Sequence, residues 1–297
     1  MREMTVLGFK HTIKNDVTIQ GIGLHTGKPV RMVLKPAIGN TGILFKRTDV
    51  GITIPAKADA ISGVNHCTNL SVGAHSVRTV EHLMAALHIM GVHNLVIQVD
   101  SEELPILDGS AQPYITAIKQ VGLKRQDFLA PAISLGQNIR VTHKDKYLSY
   151  RPADYLEIEY IIDFPHPCIG RQQLRLPFSR SHFIRHIAPA RTFGFLQQVK
   201  QMKQMGLIAG ANLHNALVFG QKAALNPMRF LNEPIKHKIL DFMGDIFLLG
   251  GDIRGRFTIY KGGHHLHSLM VQAIERHLQK PRVLPPRPLN VNRLAAR

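Results

Sequence analysis

Twice along this chain, segments of period two give way to a segment of helical period and then to one more strand. That recurrence constrains the fold more than any other feature, because it asks for two units of the same make-up. In the first pass residues 17–21 and 30–34 alternate as strands do. They are joined through the glycine-rich turn Gly21-Ile-Gly-Leu-His-Thr-Gly27, and shorter strand candidates follow at 42–45 and 52–54. From 79 to 90 the pattern changes: Val80, Leu83, Met84, Leu87 and Met90 fall at helical spacing on one face. A strand at 94–99 and a helix at 113–121 complete the unit. Residues 125–131 show no clear period and end in Ala130-Pro131, which reads as a linker. The second pass predicts strands at 139–142, 147–150 and 156–162, helices at 180–187 and 234–249, a strand at 256–260 and a last helix at 266–279. The expected class is α+β. Two similar domains, 1–127 and 132–278, each carry a sheet layered against helices, and a basic, proline-bearing tail spans 279–297.

Bulk composition sets wide bounds. Hydrophobic residues make up 44% of 297 and charged residues 19%, enough apolar material for a packed core. Cys67 and Cys168 lie far apart with no CxxC pair, which argues against a disulfide scaffold and for a reducing compartment. Residues 1–14 hold scattered charges and no apolar h-region, so no signal peptide is expected. No apolar run is long enough to span a bilayer, and the expected location is the cytoplasm. Lys plus Arg is 37 against 20 Asp plus Glu, a formal charge of +17 that attracts polyanions: nucleic acid, anionic lipid or phosphorylated small molecules. Part of the excess is the tail, where Lys280, Arg282, Arg287, Arg293 and Arg297 meet no acid. Trp is absent and no helix-turn-helix, RRM or zinc-finger pattern appears, so a solvated basic surface is favoured over a nucleic-acid site.

Three short segments carry the chemistry. In Pro234-Ile-Lys-His-Lys-Ile-Leu-Asp-Phe-Met-Gly-Asp245, helical spacing sends His237 and Asp241 out of one face, with Asp245 extending the row. Imidazole plus carboxylate suits zinc, although HxxxD alone is more often a surface pair. In Thr79-Val-Glu-His-Leu83, a lone His82 would ordinarily be a core or rim histidine. Beside it, however, Glu81 is a candidate base that could take a proton from water at a metal. A catalytic zinc needs three protein ligands and one open position, and His82, His237 and Asp241 would supply three, meeting between the two domains. In Lys261-Gly-Gly-His-His-Leu-His267, directly after a strand, the glycines would leave His264 free in a cleft as a charged proton donor or oxyanion stabiliser. Asp245 would then steady its imidazolium; the plain alternative is an exposed His-rich turn. A fourth segment, Ala190-Arg-Thr-Phe-Gly-Phe195, reads equally well as a strand end with core phenylalanines or as a site lining.

Together these segments, with Gly21–Gly27 and Pro105-Ile-Leu-Asp-Gly-Ser110, resemble the UDP-3-O-acyl-N-acetylglucosamine deacetylases, zinc enzymes of lipid A biosynthesis in Gram-negative bacteria. Each piece is weak by itself; six in the family's order, from about Gly21 to His264, are specific. The resemblance implies two α+β domains with the site between them and Zn2+ on His82, His237 and Asp241. It implies Glu81 as general base, His264 paired with Asp245 as the second catalytic group, and Thr192 at the developing oxyanion. It also implies Phe193 beside the sugar and uridine, Lys238 on the polar part of the substrate, Lys146 on the diphosphate, and Cys67 as a cleft residue and not a nucleophile. An insert near 196–217 would guide the acyl chain past Leu196, Val199, Met202, Met205 and Leu207; without the resemblance this is an ordinary amphipathic helix. The implied partner is a UDP-sugar lipid, with peripheral contact to the inner membrane through its acyl chain, no nucleic acid, and a monomeric protein. His265 stands where the family carries a small residue, and the tail matches nothing in it. Two other readings compete: a metal hydrolase of a different acylated amide, and a basic nucleic-acid-binding protein with a structural metal. Structural zinc sites are usually closed and Cys-rich, and this donor set is neither.

Overall fold

In the computed structural model, which describes residues 6–64 and 66–279, the recurrence seen in the sequence becomes a recurrence of topology. The first half supplies strands β1 (Val17–Ile22), β2 (Pro29–Pro36), β3 (Ile43–Arg47), β4 (Ile52–Pro55) and β5 (Leu95–Val99). The second supplies β6 (Ile139–His143), β7 (Lys146–Arg151), β8 (Leu156–Phe164), β9 (Gly170–Pro177) and β10 (Gly255–Tyr260). Both sheets have five strands, ordered β1-β2-β5-β3-β4 and β6-β7-β10-β8-β9. Directions match too. The last strand of each half is antiparallel to the second and parallel to the third, while the outer pairs are antiparallel hairpins. The same strand order, with the same directions, occurs twice.

Helices occupy corresponding places. α1 (Glu81–Met90) precedes β5 and α2 (Gln112–Val121) follows it; α3 (Glu233–Ile246) precedes β10 and α4 (His264–Gln279) follows it. Every residue of α1 is buried, Glu81, His82 and His88 included, because it packs against α3 and α2 and its apolar side chains share one core with those of its own sheet. The strands show why one sheet face is buried: in β8, Leu156, Ile158 and Tyr160 are buried while Glu157 and Glu159 alternate outward. The layers therefore run sheet, helices, helices, sheet, and the core is continuous through them. The α1–α3 crossing is close. A Cβ on Gly244 would collide with the backbone carbonyl of Glu81, so only glycine lets the two helices approach this far.

The expected linker at 125–131 is instead part of a strand, Leu123–Ile133, antiparallel to Val6–Ile13 and, at its far end, parallel to Asp252–Ile253. It carries no period because most of its side chains are exposed; backbone pairing holds it, helped by Arg125 lying 3.6 Å above the Phe9 ring. Three further features differ from the sequence reading. β9 was not anticipated, since its Arg and Gln residues mask the alternation of an edge strand. The final helix starts at His264, and the helix at 234–249 ends at Ile246 with a 3-10 turn beyond it. The insert is a parallel pair, Phe193–Phe195 with Leu217–Phe219, followed after Phe195 by the helix Leu196–Gln204. The basic tail from Lys280 onward lies outside the described residues.

Candidate metal centre and proton-transfer groups

The α1–α3 contact puts three donors from two helices into one buried cluster. Ligand atoms of His82, His237 and Asp241 all lie within 4.8 Å of one another. His237 Nε2 is 3.1 Å and His82 Nε2 3.7 Å from Asp241 Oδ1, and the aspartate is 1% exposed. The hydrogen bonds make this arrangement informative. His237 donates its Nδ1 proton to the carbonyl of Ala190 at 3.0 Å. Burial pushes its pKa down to about 3, so the ring is neutral and Nε2 carries a lone pair. Burial opposes charge on Asp241, yet Lys238, whose Nζ is 3.0 Å from Oδ2, and the protonated His264 outweigh it and hold the carboxyl well below its usual range. Asp241 Oδ1 is thus an ionised oxygen, sealed from water, with no hydrogen-bond partner among the described residues. A lone pair faces a negative oxygen across 3.1 Å. A small cation is what such a pair lacks, and one carboxylate with two imidazoles is a donor set that fits zinc.

Beside the cluster stands a second network. Asp245, one helical turn beyond Asp241, accepts hydrogen bonds on Oδ2 from His264 Nδ1 at 2.9 Å and His267 Nδ1 at 2.8 Å, and on Oδ1 from Thr68 Oγ1 at 2.6 Å. This carboxylate is fully used, so the group Asp245–His264–His267 is a hydrogen-bond hub and not a second cation site. His267 is itself fixed, since Tyr160 donates to its Nε2 at 3.1 Å. Burial and the N-terminal end of α4 both disfavour charge on His264, but Asp245, with Glu81 and Asp241, prevails and pushes its pKa up to about 9. Its Nε2 points the other way, 3.9 Å from Glu81 Oε1 and 3.9 Å from Asp241 Oδ2. Burial foremost raises the Glu81 carboxyl above its ordinary value, with Asp245 and Asp241 adding to the effect. Its Oε2 accepts the backbone N–H of Thr68 at 3.0 Å. A proton carrier and a proton acceptor therefore border the space that the three donors enclose.

The remaining sequence candidates divide. Phe193 flanks the cluster, with its ring centroid 6.3 Å from that of His237 and 5.8 Å from Lys238 Nζ. It belongs both to a strand and to an aromatic wall with Phe164, Phe195 and Phe219, so the two readings of its segment coincide. Thr192 immediately precedes it, its N–H donating to the carbonyl of Gly109 in the first half at 2.7 Å. Cys67 is wholly buried beside Thr68, and burial foremost pushes its thiol up to about 12, which suits a wall and not a nucleophile. Lys146 is exposed at the tip of the β6–β7 hairpin; that hairpin's His143 meets the His265 ring at 4.6 Å, next to His264. In the insert Val199, Met202 and Leu207 are half-buried, whereas Leu196 and Met205 are exposed.

Several residues of the site gave no readable signal in the sequence. Thr68 binds Asp245, His264 and Glu81, yet nothing about a threonine between two short strands announces it. Glu103 accepts the N–H groups of His25 and Thr26, each at 2.8 Å, and the hydroxyl of Thr79 at 3.1 Å. Thr79 has φ 58, a conformation costly for a β-branched residue, and Glu103 holds it where the chain turns into α1. His25 is 2% exposed, and neither ring nitrogen has a hydrogen-bond partner among the described residues. Only its place in the glycine-rich turn could have drawn notice.

Two buried imidazoles, that of His237 neutral, with an ionised carboxylate, a base and a protonated imidazole are the equipment of a hydrolase that works with a divalent cation. The chain belongs to the family of UDP-3-O-acyl N-acetylglycosamine deacetylases, whose model matches residues 10–276. Curated relatives agree. A UDP-3-O-acyl-N-acetylglucosamine deacetylase of Psychrobacter arcticus is 42% identical over 92% of this chain and 87% of its own length. Proteins of the same name from Helicobacter pylori, strain 26695 (39% identical, 89% of this chain and 90% of the relative), and Thermosynechococcus vestitus (41%, 89% and 93%) are similar as well.

Proposed function

We propose that this chain hydrolyses the N-acetyl group of UDP-3-O-(3-hydroxyacyl)-N-acetylglucosamine, releasing acetate, with zinc held by His82, His237 and Asp241. The reaction would be a step of lipid A biosynthesis, carried out by a monomer in the cytoplasm. One observation carries the reading within the molecule: the unpartnered Asp241 Oδ1 faces a lone pair on His237 Nε2. Bound there, zinc would supply Lewis acidity, polarising the acetamide carbonyl and making a neighbouring water more acidic. The protein's own groups do the rest. Glu81, buried and with a raised pKa, removes the proton of the attacking water. Thr192 donates to the oxygen that becomes negative as the carbonyl carbon turns tetrahedral. His264 Nε2 gives a proton to the glucosamine nitrogen as the C–N bond breaks, while Asp245 and Thr68 fix the opposite edge of its ring. In the alternative route Glu81 returns the proton that it took.

Phe193 would lie against the sugar and uridine, Lys238 and the more distant Lys146 would meet polar and diphosphate oxygens, and Cys67 would wall the cleft. The acyl chain would leave along Phe195 and Phe219 toward Val199, Met202 and Leu207, in the insert of a second domain spanning 132–278. The net charge favours capture of an anionic uridine diphosphate. Metal analysis combined with an acetate-release assay tests the proposal. One zinc per chain and acetate release are expected; His82→Ala should lose both, and Glu81→Gln should keep zinc and lose turnover. A fully active Glu81→Gln would remove Glu81 as the base. Salt-sensitive DNA binding without acetate release would favour the nucleic-acid reading.

A further inference from the structure

From Phe164 to Asn232 the chain contains no Asp or Glu, while Lys and Arg recur throughout. Inside that acid-free stretch lies the helix Leu196–Gln204, of which no residue is buried. Leu196, Val199 and Met202 share one side of it; Lys203 and Lys200 fall beside Leu196, and the glutamines take the opposite side. The same acid-free segment also exposes Met205, directly after the helix, and Leu213, Leu225 and Leu231, the last at 79%. Arg175, Arg191 and Arg229 are neutralised by Glu157, Glu233 and Asp108, but Lys200, Lys203 and Lys222 have no carboxylate partner among the described residues. Apolar side chains flanked by free ammonium groups, with no acid to repel a negative surface, match the outer layer of an anionic bilayer. Acyl carbons would receive the apolar groups, and the lysines would reach headgroup phosphates. No helix among the described residues is long and apolar enough to cross a membrane, so the contact would lie along the surface.

We propose that the insert, through Leu196, Lys200, Lys203 and Met205, docks this protein on anionic lipid bilayers. The idea rests on the deacetylase reading for its purpose, since the acyl chain of such a substrate would partition into a bilayer, but not for its physics. The strip runs from Phe193 at the metal cluster into this helix, so docking would bring the cleft to the membrane surface.

The test is flotation of the full chain, without substrate, on vesicles of phosphatidylcholine alone or mixed equally with phosphatidylglycerol. Binding should require phosphatidylglycerol. Neutralising both lysines (Lys200→Gln with Lys203→Gln) should lower the partition coefficient roughly 30-fold, from about fivefold per charge at a bilayer surface. Leu196→Asn with Met205→Asn should also lower it, and unchanged melting midpoints would show both variants folded. Equal binding to neutral vesicles, unchanged partition of both variants, or loss seen only when Arg282, Arg287 and Arg293 are neutralised would overturn the proposal. So would a dimer in the absence of vesicles that the same substitutions break. The lysine variant should still release acetate from a short-chain, water-soluble substrate. A wild-type chain that floats but releases no acetate would defeat the deacetylase reading alone; one that releases acetate but does not float would defeat docking alone.

Discussion

Replacing Gly244 with alanine should damage stability and chemistry together, because that glycine sets the distance between the two helices that carry the metal donors. A methyl there would meet the backbone of Glu81, with the carbonyl carbon at 2.8 Å and Cα at 3.0 Å, and the carbonyl oxygen closer still. Carbon atoms prefer about 3.5–4.0 Å, so the helices must part by roughly 1 Å. The obstacle is backbone and cannot swing aside. Overpacking of this kind costs about 1–3 kcal/mol, offset by up to ~1 kcal/mol of better helix propensity. A net loss of about 1–2 kcal/mol should lower the melting midpoint by roughly 3–6 °C. The same displacement moves Glu81 and His82 away from Asp241 and Asp245, and a misplacement of about 1 Å can cost around a hundredfold in turnover. Calorimetry, zinc content and acetate release on Gly244→Ala measure all three effects. Gly136→Ala, where a methyl meets nothing within 4 Å, is the control. A Gly244→Ala protein that melts within a degree of wild type, holds its zinc and turns over normally would refute the close-approach reasoning.

Two further outcomes follow from the same geometry. Asp245→Asn removes the charge that holds His264 protonated to about pH 9. If protonated His264 is the acid, activity falls as pH rises through its pKa, so the basic limb of the pH–rate profile should move to lower pH in the variant. Turnover at neutral pH should fall about 10- to 100-fold, and an unmoved limb would remove His264 from the proton path. Glu233→Gln strands the buried guanidinium of Arg191, whose Nε lies 2.9 Å from Oε1, and weakens acceptance of the N–H groups of Arg191 and Arg229. A loss of about 3–5 kcal/mol, read from the urea midpoint, is expected; a loss below ~1 kcal/mol would show that the pair adds nothing.

Much of this was legible in the sequence where a side-chain period reports a buried face. β1, β2, β5 and α1 could be read because Val, Ile, Leu and Met recur at the spacing of the surface that they cover. Segment 125–131 could not, since a strand held mainly by backbone pairing and a few polar contacts leaves no apolar signature, and β9 is hidden by long polar side chains at a sheet edge. The site followed the same logic. The row His237, Asp241 and Asp245 is a consequence of helical spacing and was visible, whereas its meeting with His82 depends on two helices separated by most of the chain. Motif order, not spacing, connected them. Thr68, Glu103 and His267 stayed hidden because their roles are hydrogen bonds across distant segments, which no local pattern encodes.

The shared strand order of the two sheets also dictates when each half can become whole. In each, the first four strands form two hairpins that do not touch, and the fifth must slide between them, antiparallel to one and parallel to the other. Hairpins are local and quick to form; a strand that joins them from far along the chain is slow. The helix bearing the donors lies immediately before that keystone strand in both halves. Closing each sheet is therefore the same event as seating its share of the site. Because β10 ends at Tyr260 and His264 follows it, a growing or truncated chain lacking its last forty residues can build hairpins but no working cleft.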